Sequence, residues 1–134
     1  MESQSNFDIN LEQRISAENL VIDVDGFEGP LDLLLTLART QKVDMRKISI
    51  LQLAKQYLTF VEEAKRIRLE LAADYLVMAA WLAFIKSRLL LPQEASEDGP
   101  SGEELAAHLA FQLERLEAMR LSLIHISEPT RRRG

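Results

Sequence analysis

The chain has 134 residues, enough for one domain with a core and too few to expect two. Hydrophobic residues make up 47% of it, which excludes a disordered composition, and aromatics at only 6% favour helices over a sandwich or barrel. Cysteine is absent, which excludes disulfides and thiolate metal sites and suits a reducing cytosol, while a net charge of −5 with scattered Lys and Arg argues against direct binding to DNA.

The N-terminal residues MESQSNFDINLEQRIS are polar and lack the basic and apolar regions of a signal peptide. The longest uncharged stretch, Tyr75 to Ile85, is well short of the roughly 20 residues that span a bilayer. No membrane role is expected. Residues 1–19 show little periodicity and read as a mobile tail. Leu20, Ile22 and Val24 then alternate with Val21, Asp23 and Asp25, the period of a half-buried strand or extended arm.

Gly26 to Pro30 break that segment. Pro30 suits the first position of a helix, and Asp32 falls in its first turn, where the helix dipole favours a carboxylate. This first helix is expected from Pro30 to about Gln41, with Leu31, Leu34, Leu35 and Ala38 inward. Ser49 is the expected N-cap of a second helix running to about Arg68 through Ile50, Leu53, Ala54, Tyr57, Leu58, Val61 and Ala64. Lys55, Glu62, Glu63, Lys65 and Arg66 make its solvated side.

A third helix, Leu69 to Leu91, is apolar nearly all round. One stripe is Leu69, Ala72, Ala73, Leu76, Ala80, Ala83, Ser87 and Leu90. Another is Leu71, Tyr75, Met78, Leu82, Ile85 and Leu89, spaced four and three apart as in a coiled-coil seam. A helix of this kind must be covered on most sides. The first two helices cover part of it; the side holding Met78, Trp81 and Ile85 awaits either the strand arm and a fourth helix or a partner helix. Periodicity does not separate these.

Pro92 ends the third helix, and Gln93 to Gly102 form an acidic, turn-rich linker. A fourth amphipathic helix is expected from Glu103 to Arg120 through Leu105, Leu109, Leu113 and Leu116, docking on the bundle or, the preferred reading, awaiting a second partner. Leu121 to Arg131 resembles the translation of a transposon-end adapter used in sequencing libraries, and residues 121–134 are therefore set aside as an artefact. Without them the chain is more acidic still. The fold class is thus mainly α: a small helical bundle with an N-terminal extended arm and a fourth helix after an acidic linker.

Chemistry is not legible here. His108 has no base, nucleophile or ligand companion at useful spacing. Glu62 and Glu63 are adjacent and diverge by about 100°, and Glu70 with Asp74 lacks the histidines of a metal box. Gly26 and Gly29 have no lysine to make a phosphate loop. No catalytic residue, cofactor, metal or small-molecule substrate is expected.

Four blocks carry a resemblance. Phe27-Glu28-Gly29-Pro30-Leu31-Asp32-Leu33-Leu34-Leu35 is followed by Val43-Asp44-Met45 through Ile48-Ser49-Ile50, by Gln56-Tyr57-Leu58, and by Glu70 to Ala80, with Ile85 to Pro92 closing the match. In this order and spacing they resemble the N-terminal part of segregation and condensation protein A, the bacterial kleisin family. The resemblance implies a non-enzymatic, cytoplasmic and nucleoid-associated adaptor. Its N-terminal helical domain, here residues 20–92, binds the neck coiled coil of an SMC ATPase, and its middle region binds a dimer of segregation and condensation protein B. DNA is then engaged only through the complex. Carried onto this chain, neck binding falls to the third helix, with Tyr75, Met78, Leu82, Ile85 and Leu89 as the expected seam; Leu105, Leu109, Leu113 and Leu116 are expected to serve the second partner. The alternative is a helical regulator of another coiled coil.

Overall fold

The computed structural model describes residues 24–91 and 99–131. Four α-helices make up most of them: α1 (Pro30–Arg39), α2 (Ile50–Arg66), α3 (Ala73–Leu90) and α4 (Gly102–Arg131). Single 3-10 turns occur at Val24–Gly26 and Met45–Lys47. The mainly helical bundle expected from the sequence is the observed fold, and no strand occurs among the described residues. The tail at 1–19, most of the expected strand (Leu20 to Asp23) and most of the linker (residues 93–98) lie outside the described residues. Val24 and Asp25, expected to end that strand, instead lie in a 3-10 turn, with Val24 half-buried against the core.

Pro30 opens α1, and the Asp32 carboxylate accepts the Glu28 backbone N–H at 2.9 Å, satisfying a donor just ahead of the helix. Leu33, Leu34, Leu35, Leu37 and Ala38 are buried, a wider face than the expected one because α1 is packed by α2, α3 and α4. The connector to α2 is closed by the Gln41 side chain, which accepts the Ser49 N–H at 2.8 Å and donates to the Ser49 carbonyl at 3.0 Å. Ser49 caps α2 as expected, its hydroxyl accepting the Gln52 N–H at 3.1 Å. The buried side of α2 holds the expected residues with one exchange: Phe60 is fully buried and Leu58 only half-buried.

The chain leaves α2 through Arg68, in the left-handed conformation at φ 60°, while the Leu69 N–H reaches back to the Ala64 carbonyl at 2.9 Å. This reversal keeps residues 69–72 out of helix, so α3 starts at Ala73 rather than at Leu69. Across the joint, the buried Tyr57 hydroxyl donates to the Tyr75 carbonyl at 2.8 Å. Phe60 packs between the two tyrosines, with ring centroids 5.7 and 6.2 Å away. Burial pushes the Tyr57 phenol far above its usual range, so it acts here only as a neutral donor.

α4 begins with a capping box: the Ser101 hydroxyl accepts the Glu104 N–H at 3.1 Å, and the Glu104 carboxylate accepts the Ser101 N–H at 2.9 Å. It packs against α3, α1, α2 and the Met45–Lys47 turn. Leu109 and Leu113 are fully buried in the common core, with Leu105 and Leu116 half-buried beside them. The expectation that this stripe waits for a second partner is therefore corrected. The four leucines complete the bundle, closing together with α2 over the inner face of α3. The helix also continues past Arg120 to Arg131, although Leu121 and Leu123 are exposed and add nothing to the core.

Gly102 marks how closely α4 approaches α3: a Cβ built there would lie 2.9 Å from the backbone and Cβ of Arg88. For a free helix, Gly102→Ala would stabilise by roughly 0.5–1 kcal/mol through reduced chain entropy. Docked as here, it is expected to destabilise by about 1–3 kcal/mol because backbone must shift. Urea unfolding followed by circular dichroism gives the sign.

Candidate protein-docking face

α1 and α2 are one-sided helices; α3 is the most apolar of the three and scarcely one-sided at all. Its inner line is Tyr75, Leu82 and Ile85, all buried, flanked by Met78 and Leu89, which are half-buried against the core. The residues expected as the partner seam are thus the ones α3 turns toward α2 and α4. Leu82 and Ile85 are 0% exposed and have no surface to offer a partner. The reason is size: the largest smooth seam of an all-apolar helix is also the one its own neighbours bury most profitably.

The opposite side of α3 is open. Val77 is 68% exposed, Phe84 47% and Trp81 38%, with Leu76, Leu90 and Leu91 at least half open. Ala73, Val77, Ala80, Phe84, Ser87 and Leu91 are all exposed and follow one another at intervals of four, three, four, three and four. This is a heptad seam on the outer surface of the domain. Leu76, Ala83 and Leu90 flank it on one side, and Asp74, Trp81 and Arg88 on the other, each set at spacing seven.

The second flank is ordered. Trp81 stacks on Phe84 with centroids 5.9 Å apart and planes inclined by 24°. The Arg88 guanidinium lies 5.7 Å from the Phe84 ring centre, and its Nη2 donates to the Pro100 carbonyl at 3.1 Å. At the other end, Val77 and Trp81 run into a groove of about 600 Å³ between α3, the start of α1 and the Leu116–Arg120 turn of α4. Asp74 is among the residues that line it. Arg120 pairs with Asp32 and, at 3.1 Å, with Glu28, tying α4 to the Glu28–Asp32 turn. Burial pushes the Asp32 carboxyl up, but the Glu28 N–H and Arg120 outweigh it, so its pKa ends below the usual value.

The stripe through Leu69, Ala72, Ala73, Leu76, Ala80, Ala83, Ser87 and Leu90 contains much of this open face, but Val77 and Phe84 belong to neither expected stripe. The signal that finds them is the four-three spacing of large with small residues, easily lost beside the longer side chains of the inner seam. Among the described residues, no group of three or more His, Asp or Glu is placed to hold a metal ion, and no helix is long and apolar enough to cross a membrane.

These features define a four-helix domain with one uncovered apolar helix face. The sequence matches the family model described as segregation and condensation protein ScpA over residues 37–125, and the chain belongs to that family. That match includes most of α4 as well as α2 and α3. Among curated relatives named segregation and condensation protein A, the chain is 43% identical to that of Xylella fastidiosa (strain 9a5c) over 103 residues, 77% of this chain and 34% of the relative. The Coxiella burnetii relative is 47% identical over 93 residues (66% and 35%), and that of Lactiplantibacillus plantarum 44% over 97 residues (67% and 38%). The chain spans little more than a third of the length of these relatives.

Proposed function

We propose that this chain is the SMC-binding end of a non-enzymatic adaptor in chromosome segregation and condensation, acting in the cytoplasm at the nucleoid. The outer seam of α3 docks on the neck coiled coil beside an SMC ATPase head. One observation carries the reading: in a family of segregation and condensation proteins, α3 presents an exposed heptad pattern in which large apolar Val77 and Phe84 alternate with small Ala73, Ala80 and Ser87, continued by Leu91 just past its end. Such a seam suits helix-on-helix packing, with the small positions admitting the side chains of the opposing helix. Burying each large side chain fully is worth roughly 1.5–3 kcal/mol before the costs of association, so Val77, Trp81 and Phe84 supply the apolar centre of the contact and the flanking positions must add to it.

The acidic balance of the chain fits an indirect relation to DNA through the complex. Segregation and condensation protein B is given no site on the four leucines of α4, which are occupied within the domain. The test is co-elution of the 134-residue chain with an SMC head-and-neck fragment at micromolar concentration. A stable complex is expected. Failure to bind, where a full-length homologue binds, would overturn the proposal.

A further inference from the structure

The groove at the Asp74 end of the seam has a composition of its own. Its walls are apolar, made by Pro30, Leu31, Met78 and Leu116, and it shares Val77 and Trp81 with the docking seam. Three carboxylates, Glu28, Asp32 and Asp74, also line it, against a single lining cation, Arg120, which is engaged by Asp32 and Glu28. A helix laid along Val77 and Phe84 covers this mouth and takes Asp74 partly out of water. With Glu28 and Asp32 paired to Arg120, an apolar side chain entering there would leave Asp74 covered without compensation, and an acidic one would be repelled. A long cationic side chain satisfies both parts of the groove: its methylenes lie along Val77 and Trp81, and its charge meets Asp74.

Resting on the docking reading above, we propose that this groove is a charge-selective pocket that takes a lysine or arginine side chain from the docked coiled-coil helix. At the other end of the same flank stands Arg88, two heptads or about 21 Å along the axis from Asp74. Arg88 is already engaged by the Phe84 ring and the Pro100 carbonyl, so the charge that selects the partner helix is the basic residue it carries at the Asp74 end of the contact. Flank charges of this kind fix partner and register.

The test uses the whole chain and the SMC head-and-neck fragment, with Asp74→Asn, Asp74→Glu and Phe84→Lys compared by titration at low and high salt. Asp74→Asn is expected to weaken binding about three- to tenfold at about 50 mM salt, with the difference vanishing near 1 M as screening takes over. Asp74→Glu should restore affinity to within about twofold of wild type, and Asp74→Asn should keep wild-type helicity and melting, which separates contact with the partner from a structural role in the first turn of α3. Wild-type affinity of Asp74→Asn at low salt, or a weakening that salt does not relieve, would overturn the pocket. If Phe84→Lys abolishes binding in the same series, only the pocket falls; if Phe84→Lys also binds normally, the docking face falls with it.

Discussion

Leu82→Lys is expected to unfold the domain. Leu82 is 0% exposed on the inner line of α3, in one cluster with Tyr57, Phe60, Leu109 and Leu113. Removing the leucine contacts costs about 2–5 kcal/mol, and the ammonium would be left where, among the described residues, no buried carboxylate is present to receive it. Against a total stability of about 5–15 kcal/mol, the sum leaves little or no folded population. Far-UV circular dichroism at 25 °C should show loss of most helical signal. A variant that keeps full helicity and a cooperative melt would place Leu82 at the surface and reverse the orientation of α3. Binding measurements on this variant have no bearing on docking, because the fold is lost first.

Phe84→Lys has the opposite expected pattern. Phe84 is exposed, so the substitution removes little intrachain packing, and lysine is a good helix former. The stability change should stay within about 1 kcal/mol, much of it from placing like charge beside Arg88 four residues on. Docking is another matter. Phe84 occupies the middle large position of the outer seam and supports Trp81 by stacking, so truncation alone should cost a hot-spot energy of about 2 kcal/mol or more. A buried ammonium adds a desolvation cost, and the affinity for an SMC head-and-neck fragment should fall by at least about 100-fold. Val77→Lys, on the same seam and more exposed, should behave alike. A folded Phe84→Lys protein with wild-type affinity would show that the partner docks elsewhere.

The contrast between these two residues shows what sequence alone could and could not settle. Pro30, Asp32 and Ser49 are local signals whose chemistry does not depend on the rest of the fold, and α1 and α2 begin where those residues place them. The Ser101–Glu104 capping box is equally legible, two residues before the start inferred from the leucine pattern. The start of α3 is not, because residues 69–72 are good helix formers and the break is made by Arg68, a residue type that carries no turn signal. Nor is the orientation of α3. On one-sided α2, the stripe identifies the buried face directly. On α3, apolar residues occur at every angle, and which of them are covered is decided by α2 and α4 in three dimensions. The place of α4 was undecidable for the same reason, since an amphipathic helix after a linker has the same pattern whether its leucines meet this chain or another.

The only tryptophan of the chain flanks the outer seam of α3, so Trp81 reports on the face without any label. The most direct test is its fluorescence on titration with an SMC head-and-neck fragment whose own tryptophans have been replaced. The account predicts that Trp81 emission shifts to shorter wavelength and that acrylamide quenching falls as the complex saturates. A complex that forms while Trp81 emission and quenching stay those of the free chain would contradict it.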